Sequence, residues 1–231
     1  GVAFDGSETV LAEGADFYAA PRLSPDGRAI AWLSRNHPRM PWEGTELWLA
    51  DVGDDGGLSN ARLVAGGPAE SICQPEWSPG GVLHFVSDSN GWWNLYKYEA
   101  ALVQPLCKRA AEFGAPHWTF GSAMYGFRSE AEIVCTFIEN GVSRLARLST
   151  AGGKLEPIAN PYQEIRELRV TARGSAFQFK EKERDVRELG GRLGVRYVLE
   201  GDIRRNEEHV LVQAKLVDRL GSKSPLPVEV V

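Results

Sequence analysis

Two stretches of this chain repeat one another 54 residues apart: Pro21-Arg22-Leu23-Ser24-Pro25-Asp26-Gly27 and Pro75-Glu76-Trp77-Ser78-Pro79-Gly80-Gly81. Each is followed by a β-rich run, Ala29-Ile30-Ala31-Trp32-Leu33-Ser34 in the first case and Val82-Leu83-His84-Phe85-Val86-Ser87 in the second. A second run follows each, Glu46-Leu47-Trp48-Leu49-Ala50-Asp51 and Asn94-Leu95-Tyr96-Lys97-Tyr98. A weaker third copy opens at Pro116-His117-Trp118 and continues through Ala123–Phe127, Ile133–Phe137 and Arg144–Leu148; a fourth is expected near Pro161-Tyr162. Self-similarity at a period of roughly 40–55 residues constrains the fold more than any local propensity, because each copy must be one supersecondary unit.

The unit reads as a meander. Proline fixes φ and glycine accepts φ > 0, so Ser-Pro-Asp-Gly makes a tight turn between short strands. A lone four-stranded meander leaves both faces uncovered, and such units stack around an axis as propeller blades. The expected fold is therefore mostly β, a partial β-propeller of three to four blades over residues 1–175. A β-sandwich is the alternative that irregularly spaced short strands also allow.

The remaining chain has a different composition. All seven tryptophans precede residue 119, and the charge balance moves from 15 Lys+Arg against 21 Asp+Glu in residues 1–179 to 11 against 10 in residues 180–231. Val186, Leu189 and Leu193 recur at i, i+3 and i+7 among charged residues, with Gly194 placed to end a helix. Two apolar-rich runs follow, Arg196–Arg205 and Val210–Asp218, separated by Asn206-Glu207-Glu208. The expectation is a small α/β segment, a helix plus a β-hairpin, over residues 176–220, and a loose proline-interrupted tail over 221–231.

The first territory resembles the propeller of the prolyl oligopeptidase family, in particular its dipeptidyl aminopeptidase and acylaminoacyl-peptidase-like branch. The resemblance rests on Ala19–Gly27, Trp32-Leu33-Ser34, Asn36-His37-Pro38, Met40-Pro41-Trp42, Gly44–Trp48, Gln74–Pro79 and Ser87–Tyr96, and it extends to about residue 173. It implies one part of a propeller that caps an α/β-hydrolase domain and filters peptides on their way to a catalytic serine. Gly80 departs from that pattern, which has aspartate in the second turn. Residues ~180–220, through Asp185–Gly190, Leu193–Gly201 and Arg204-Arg205, resemble a TolB-like α/β module found beside adenylate cyclase and tetratricopeptide regions in bacterial proteins, a binding or assembly element.

Catalytic chemistry is not written in the chain. A hydrolase of the resembled type needs a G-x-S-x-G elbow to expose its nucleophile. Ser59 has Gly57 before it but Ala61 after it, and Ser143 has Gly141 before it but Leu145 after it. The four histidines are scattered without metal-binding spacing, and Cys73, Cys107 and Cys135 show no CxxC pairing, so neither a metal nor a cofactor is expected. A net charge of -5 gives no field for nucleic acid, and the apolar runs are far too short to span a bilayer. The cysteine pattern and the lack of a secretory pattern in the first residues point to the cytoplasm.

For binding, the loop from Arg35 to Thr45 stands out. It gathers His37, Arg39, Trp42 and Glu43 among Pro38, Pro41 and Gly44, and long blade-end loops can line a channel or meet a neighbouring domain. Trp92 and Trp93 alternate in direction, one toward a blade-to-blade layer and the other toward the rim. The expected function is a non-catalytic propeller segment that gates peptides, with a peptide or an α/β-hydrolase domain as partner. Two other readings stand beside it: a scaffold protein binding partners through both territories, and part of a complete serine aminopeptidase whose hydrolase domain lies elsewhere. Open blade edges also favour self-association. The 231-residue chain alone should bind a hydrophobic dye and melt broadly in calorimetry; a sharp monomeric transition would indicate a closed fold instead.

Overall fold

The Ser-Pro turns are closed by the same three kinds of bond in both copies, over five residues in the first and four in the second. Ser24 donates its N–H to the Ala29 carbonyl (2.8 Å), its own carbonyl accepts from the Gly27 N–H (2.9 Å), and its hydroxyl accepts from the Ala29 N–H (2.9 Å). Ser78 makes the same three bonds with Val82 and Gly81, at 2.8, 2.9 and 3.0 Å. Both serines are buried, and Gly27 and Gly81 hold φ of 74° and 83°. Each turn therefore needs a small buried hydroxyl and a residue free to adopt the left-handed region. At Gly80 an added side chain would meet only the mobile end of the exposed Glu130 side chain, so an aspartate there would bring two carboxylates together without a backbone clash.

This computed structural model describes residues 8–118, 121–160, 164–165, 168 and 170, together with the strand residues 197–205, 210–218 and 227–230. Three four-stranded antiparallel meanders follow one another. The first is β1 (Phe17–Leu23), β2 (Ala29–Arg35), β3 (Glu46–Val52) and β4 (Leu58–Gly66). The second is β5 (Ile72–Trp77), β6 (Leu83–Ser87), β7 (Asn94–Glu99) and β8 (Leu102–Pro105), and the third is β9 (Tyr125–Ser129), β10 (Glu132–Glu139), β11 (Val142–Ser149) and β12 (Glu156–Pro157). No helix occurs among the described residues.

The blades stack through two apolar layers. Ala31, Leu33, Leu47 and Leu49 of the first blade meet Ile72, Leu83, Phe85 and Tyr96 of the second. The opposite face of the second blade, with Cys73, Val86 and Leu95, meets Tyr125, Ile133, Cys135, Phe137, Ala146 and Leu148 of the third. The period-2 alternation of β6 makes this possible, since Phe85 and Val86 face opposite neighbours. Repetition reaches individual ring pairs: Trp32 opposite Trp48 stacks at 6.4 Å and 11°, and Phe85 opposite Tyr96 stacks at 6.0 Å and 15°. The first strands share an irregularity as well. β1 breaks register between Ala19 and Arg22 and β5 between Cys73 and Glu76, with Ala20 and Gln74 both at positive φ.

The third blade departs from its expected start. Pro116-His117-Trp118 lies in the connection before β9, and the strand begins only at Tyr125. Trp77 is tied to the first blade by its indole N–H, which donates to the Arg22 carbonyl (2.9 Å), whereas Trp118 is 75% exposed. Buried Tyr125 takes the linking role, its hydroxyl donating to the Gln74 carbonyl (2.9 Å). The fourth copy expected near Pro161-Tyr162 lies outside the described residues.

The chain divides into two units, Gly1–Val170 and Thr171–Val231. In the second, β13 (Tyr197–Arg205), β14 (Val210–Asp218) and β15 (Pro227–Val230) form an antiparallel sheet in that order, so part of the stretch read as a loose tail pairs as a strand. The helix expected over Lys182–Leu193 lies outside the described residues.

Buried His84 is the titratable group through which the core senses pH. It is 1% exposed; its Nδ1–H donates to the Val82 carbonyl (3.0 Å), and its ring meets Phe127 edge-on at 4.9 Å. Nε2 has no hydrogen-bond partner among the described residues. Burial lowers its pKa from 6.5 to about 4, with the cross-strand neighbour Lys97 adding to the shift. Above pH 6.5 the ring is neutral in both folded and unfolded chains. Below that the unfolded chain takes up a proton the folded chain refuses, and stability is lost as pH falls toward 4. The loss attributable to His84 should reach about 3 kcal/mol across that window. Urea melts of the wild type and His84→Leu should differ in pH slope by that amount; parallel slopes would refute the assignment.

Candidate functional site

Phe17 lies opposite Arg35 in the β1–β2 ladder and Ile72 opposite Ser87 in the β5–β6 ladder, so the starts of β1 and β5 and the ends of β2 and β6 share one end of their blades. The β2–β3 loop, residues 36–45, springs from that end. It is built as a tight turn: Glu43 and Gly44 N–H groups both donate to the Met40 carbonyl, and the Glu43 carboxylate accepts from the Met40 N–H (2.8 Å). Pro41's carbonyl accepts from the hydroxyls of Thr45 (2.7 Å) and Ser71 (3.0 Å), which pins the loop to the β4–β5 connection. Gly44 is required by close approach, because a Cβ there would lie 2.7 Å from the Gly67 carbonyl oxygen.

Between this loop, β1, β5 and the connection into the third blade lies a cavity of about 260 Å³. Its walls include Phe17, Tyr18, Leu33, Pro41, Ile72 and Trp118, and its polar groups include Arg22, Ser34, Arg35, Thr45, Gln74 and His117. Arg22 pairs with Glu76 at 2.9 Å. Arg35 lies over the Phe17 ring at 3.9 Å and donates one N–H to the Arg39 carbonyl (2.9 Å). Burial lowers the pKa of His117, which favours the neutral imidazole. The chemistry on offer is recognition by guanidinium, amide, hydroxyl and ring faces.

The residues singled out in the sequence are distributed around this site. Arg39 donates through Nε to the Pro68 carbonyl (3.1 Å) and Glu43 caps its own turn, so both hold the loop. His37 is exposed, and its backbone N–H donates to Asp16 (2.9 Å). Trp42 reaches the cavity through Trp118, ring centroids 4.3 Å apart at 48°. Trp92 is 42% exposed at the β6–β7 turn, while Trp93 packs against the layer between the second and third blades. None of these six lines the cavity itself. Of the residues that do, Arg22, Gln74 and Trp118 fall within the repeat strings, which mark them as blade scaffold and not as a site, while Phe17 and Arg35 are joined only by their ladder pairing.

Other site chemistry is absent among the described residues. No group of three or more His, Cys, Asp or Glu side chains could hold a metal ion. Cys73 and Cys135 are buried, and burial raises both thiol pKa values, that of Cys135 to about 12, which leaves them protonated and unreactive.

No family model matches the chain. Among solved structures, the chain is similar to puromycin hydrolase, with 31% identity and a TM-score of 0.64 over 89% of this chain and 28% of that one. It is similar also to a puromycin-hydrolyzing peptidase of Mycobacterium tuberculosis, with 28% identity and a TM-score of 0.65 over 90% of this chain and 28% of that one. Prolyl oligopeptidase B of Galerina marginata shares the fold at 12% identity, TM-score 0.50, over 92% of this chain and 26% of that one. A curated relative, "Putative adenylate cyclase 3" of Rhizobium meliloti (strain 1021), is 40% identical over 68 residues, 29% of this chain and 12% of the relative. The chain thus spans little more than a quarter of the peptidases it resembles and about an eighth of the cyclase.

The two candidate tryptophans in different settings should respond differently to truncation. Trp93→Ala opens a hole beside a packed layer and should cost about 3–5 kcal/mol in urea melts. Trp42→Ala removes a ring pair beside an exposed partner and should cost about 1 kcal/mol. Equal costs would contradict the packing described.

Proposed function

We propose, from the likeness of this chain to the propeller of prolyl-oligopeptidase-family enzymes, that it is a non-catalytic propeller segment which shapes access of peptides to a separate α/β-hydrolase domain. The observation that carries the reading is the 31% identity to puromycin hydrolase over 89% of the chain, in a sequence with no G-x-S-x-G elbow. The propeller end bearing the 36–45 loop and the cavity is the end proposed to meet peptide. Trp42, packed at a tilt against the exposed Trp118 ring and held by a braced loop, is proposed to contact it. A scaffold reading is favoured by one finding, the 40% identity over 68 residues to the Rhizobium meliloti relative; on that reading the second unit is proposed to have a binding or assembly role.

The test is a chimera in which this chain replaces the matching segment of puromycin hydrolase. Turnover should depend on the hydrolase serine, and Trp42→Ala should raise KM for peptide substrates several-fold at unchanged kcat. An unchanged KM would remove the gating role. Serine-inhibitor-sensitive turnover of aminoacyl chromogenic substrates by this chain alone would overturn the non-catalytic reading.

A further inference from the structure

The cavity carries a charge pattern opposite to that of the chain. The protein has a net charge of -5, yet the two charged side chains lining the cavity are both arginines, Arg22 and Arg35. Arg22 is neutralised by Glu76 at 2.9 Å. Arg35 has no carboxylate within ion-pairing distance among the described residues, and its recorded contacts are one N–H to the Arg39 carbonyl and the Phe17 ring beneath it. A guanidinium has five N–H donors in a planar fork. Seated over an aromatic ring, with one N–H given to the Arg39 carbonyl, Arg35 keeps the others for another acceptor.

The walls are unusual in the same place. Phe17 and Tyr18 are 44% and 40% exposed and Trp118 is 75% exposed, and all three line this cavity, Tyr18 sharing its ring with the cavity beside residues 11–15, where its hydroxyl accepts from the Ala15 N–H (2.9 Å). Aromatic surface left in water beside an uncompensated cation marks a recognition site more than a failure of packing. We infer that the cavity binds a small aromatic carboxylate, its anionic group on the Arg35 fork and its ring among Phe17, Tyr18 and Trp118. A carboxylate is favoured over a phosphate because a single unpaired guanidinium serves it, the walls are mostly apolar, and among the described residues no glycine-rich cradle of backbone N–H groups accompanies the arginine. The volume, about 260 Å³, suits one amino-acid-sized group.

The same chemistry is offered by a free aromatic acid and by the C-terminal residue of a peptide. This deepens the peptide-access reading and rests on it for its biological sense. Its test, direct binding to this chain, can fail while that reading stands.

The experiment is calorimetric titration of the 231-residue chain, its folding verified by circular dichroism, with N-acetylphenylalanine, N-acetylphenylalanine amide and a Gly-Gly-Phe peptide with a free carboxylate. The acid should bind at least about tenfold more tightly than the amide, as expected for loss of a charge-assisted bidentate contact. Raising the salt should weaken the acid and leave the amide unchanged. Arg35→Gln should erase the acid–amide difference and Arg35→Lys should keep part of it. Binding of the peptide comparable to that of the capped acid assigns the site to chain ends; binding of the capped acid alone assigns it to free acids. No binding of either carboxylate, equal binding of acid and amide, or an acid–amide difference that survives Arg35→Gln overturns the inference.

Discussion

Beside the apolar layer between the second and third blades, one buried side chain, Gln74, carries the polar bonds that fasten their first strands together. Its amide donates to the Tyr125 carbonyl (2.7 Å), its side-chain oxygen accepts from the Met124 N–H (2.7 Å), and its main-chain carbonyl accepts from the Tyr125 hydroxyl (2.9 Å). These bonds cross from one blade to the next at the first strands, where backbone groups have no ladder partner on that side. Left without them, buried amide and carbonyl groups would each cost about 1–3 kcal/mol. The register break at Gln74, with φ of 44°, turns the side chain toward the third blade, so a locally unfavourable backbone conformation serves a nonlocal bond. One blade earlier the same position carries Ala20, and the first and second blades are tied instead by Trp77 to the Arg22 carbonyl and by Arg22 to Glu76. The repeat conserves the bulge and changes the fastener.

That contrast explains what could be read from the sequence. The Ser-Pro turns were legible because everything they need is local: a serine, a proline and a glycine within four residues, with the acceptor four or five residues on. The strands were legible because their alternation follows from burying one face against each neighbour. The start of the third blade was not, because Pro116-His117-Trp118 imitates the local pattern while lacking the nonlocal bond that places Trp77 inside. Tyr125 provides that bond from a different point in the chain. The sheet of the second unit and the helix expected before it differ in another way: the apolar runs of β13 and β14 are visible in the sequence, while residues 182–193 fall outside what the structure describes.

The site was legible only in part, for a related reason. His37, Arg39 and Glu43 attract attention as polar residues in a proline-rich loop, but Arg39 and Glu43 hold that loop in place. A turn with several carbonyls facing solvent needs donors and caps near by, so the residue types that suggest binding also suit bracing. The cavity instead draws on Phe17 and Trp118, about a hundred residues apart, and on Arg35 at the last position of a strand. Only the stacking of consecutive blades brings them to one end. A reading along the chain finds the scaffold more readily than the concavity the scaffold creates.

Equivalent ring pairs show how unequal the blade faces are. Phe85 and Tyr96 lie in a layer closed by four aliphatic side chains of the first blade. The corresponding Trp32 and Trp48 on the first blade's other face have for neighbours the residues 11–15, with a cavity of about 470 Å³ between them. Trp48 is anchored there by its indole N–H to the Glu46 carboxylate (3.1 Å), a contact made within its own strand and not across an interface. In a structure whose stability is close to a sum of nearest-neighbour layers, the face closed by a short segment contributes less than one closed by a sheet. Among the described residues the second blade has an apolar layer on each face, so its strands meet packed neighbours in both the first and the third blade.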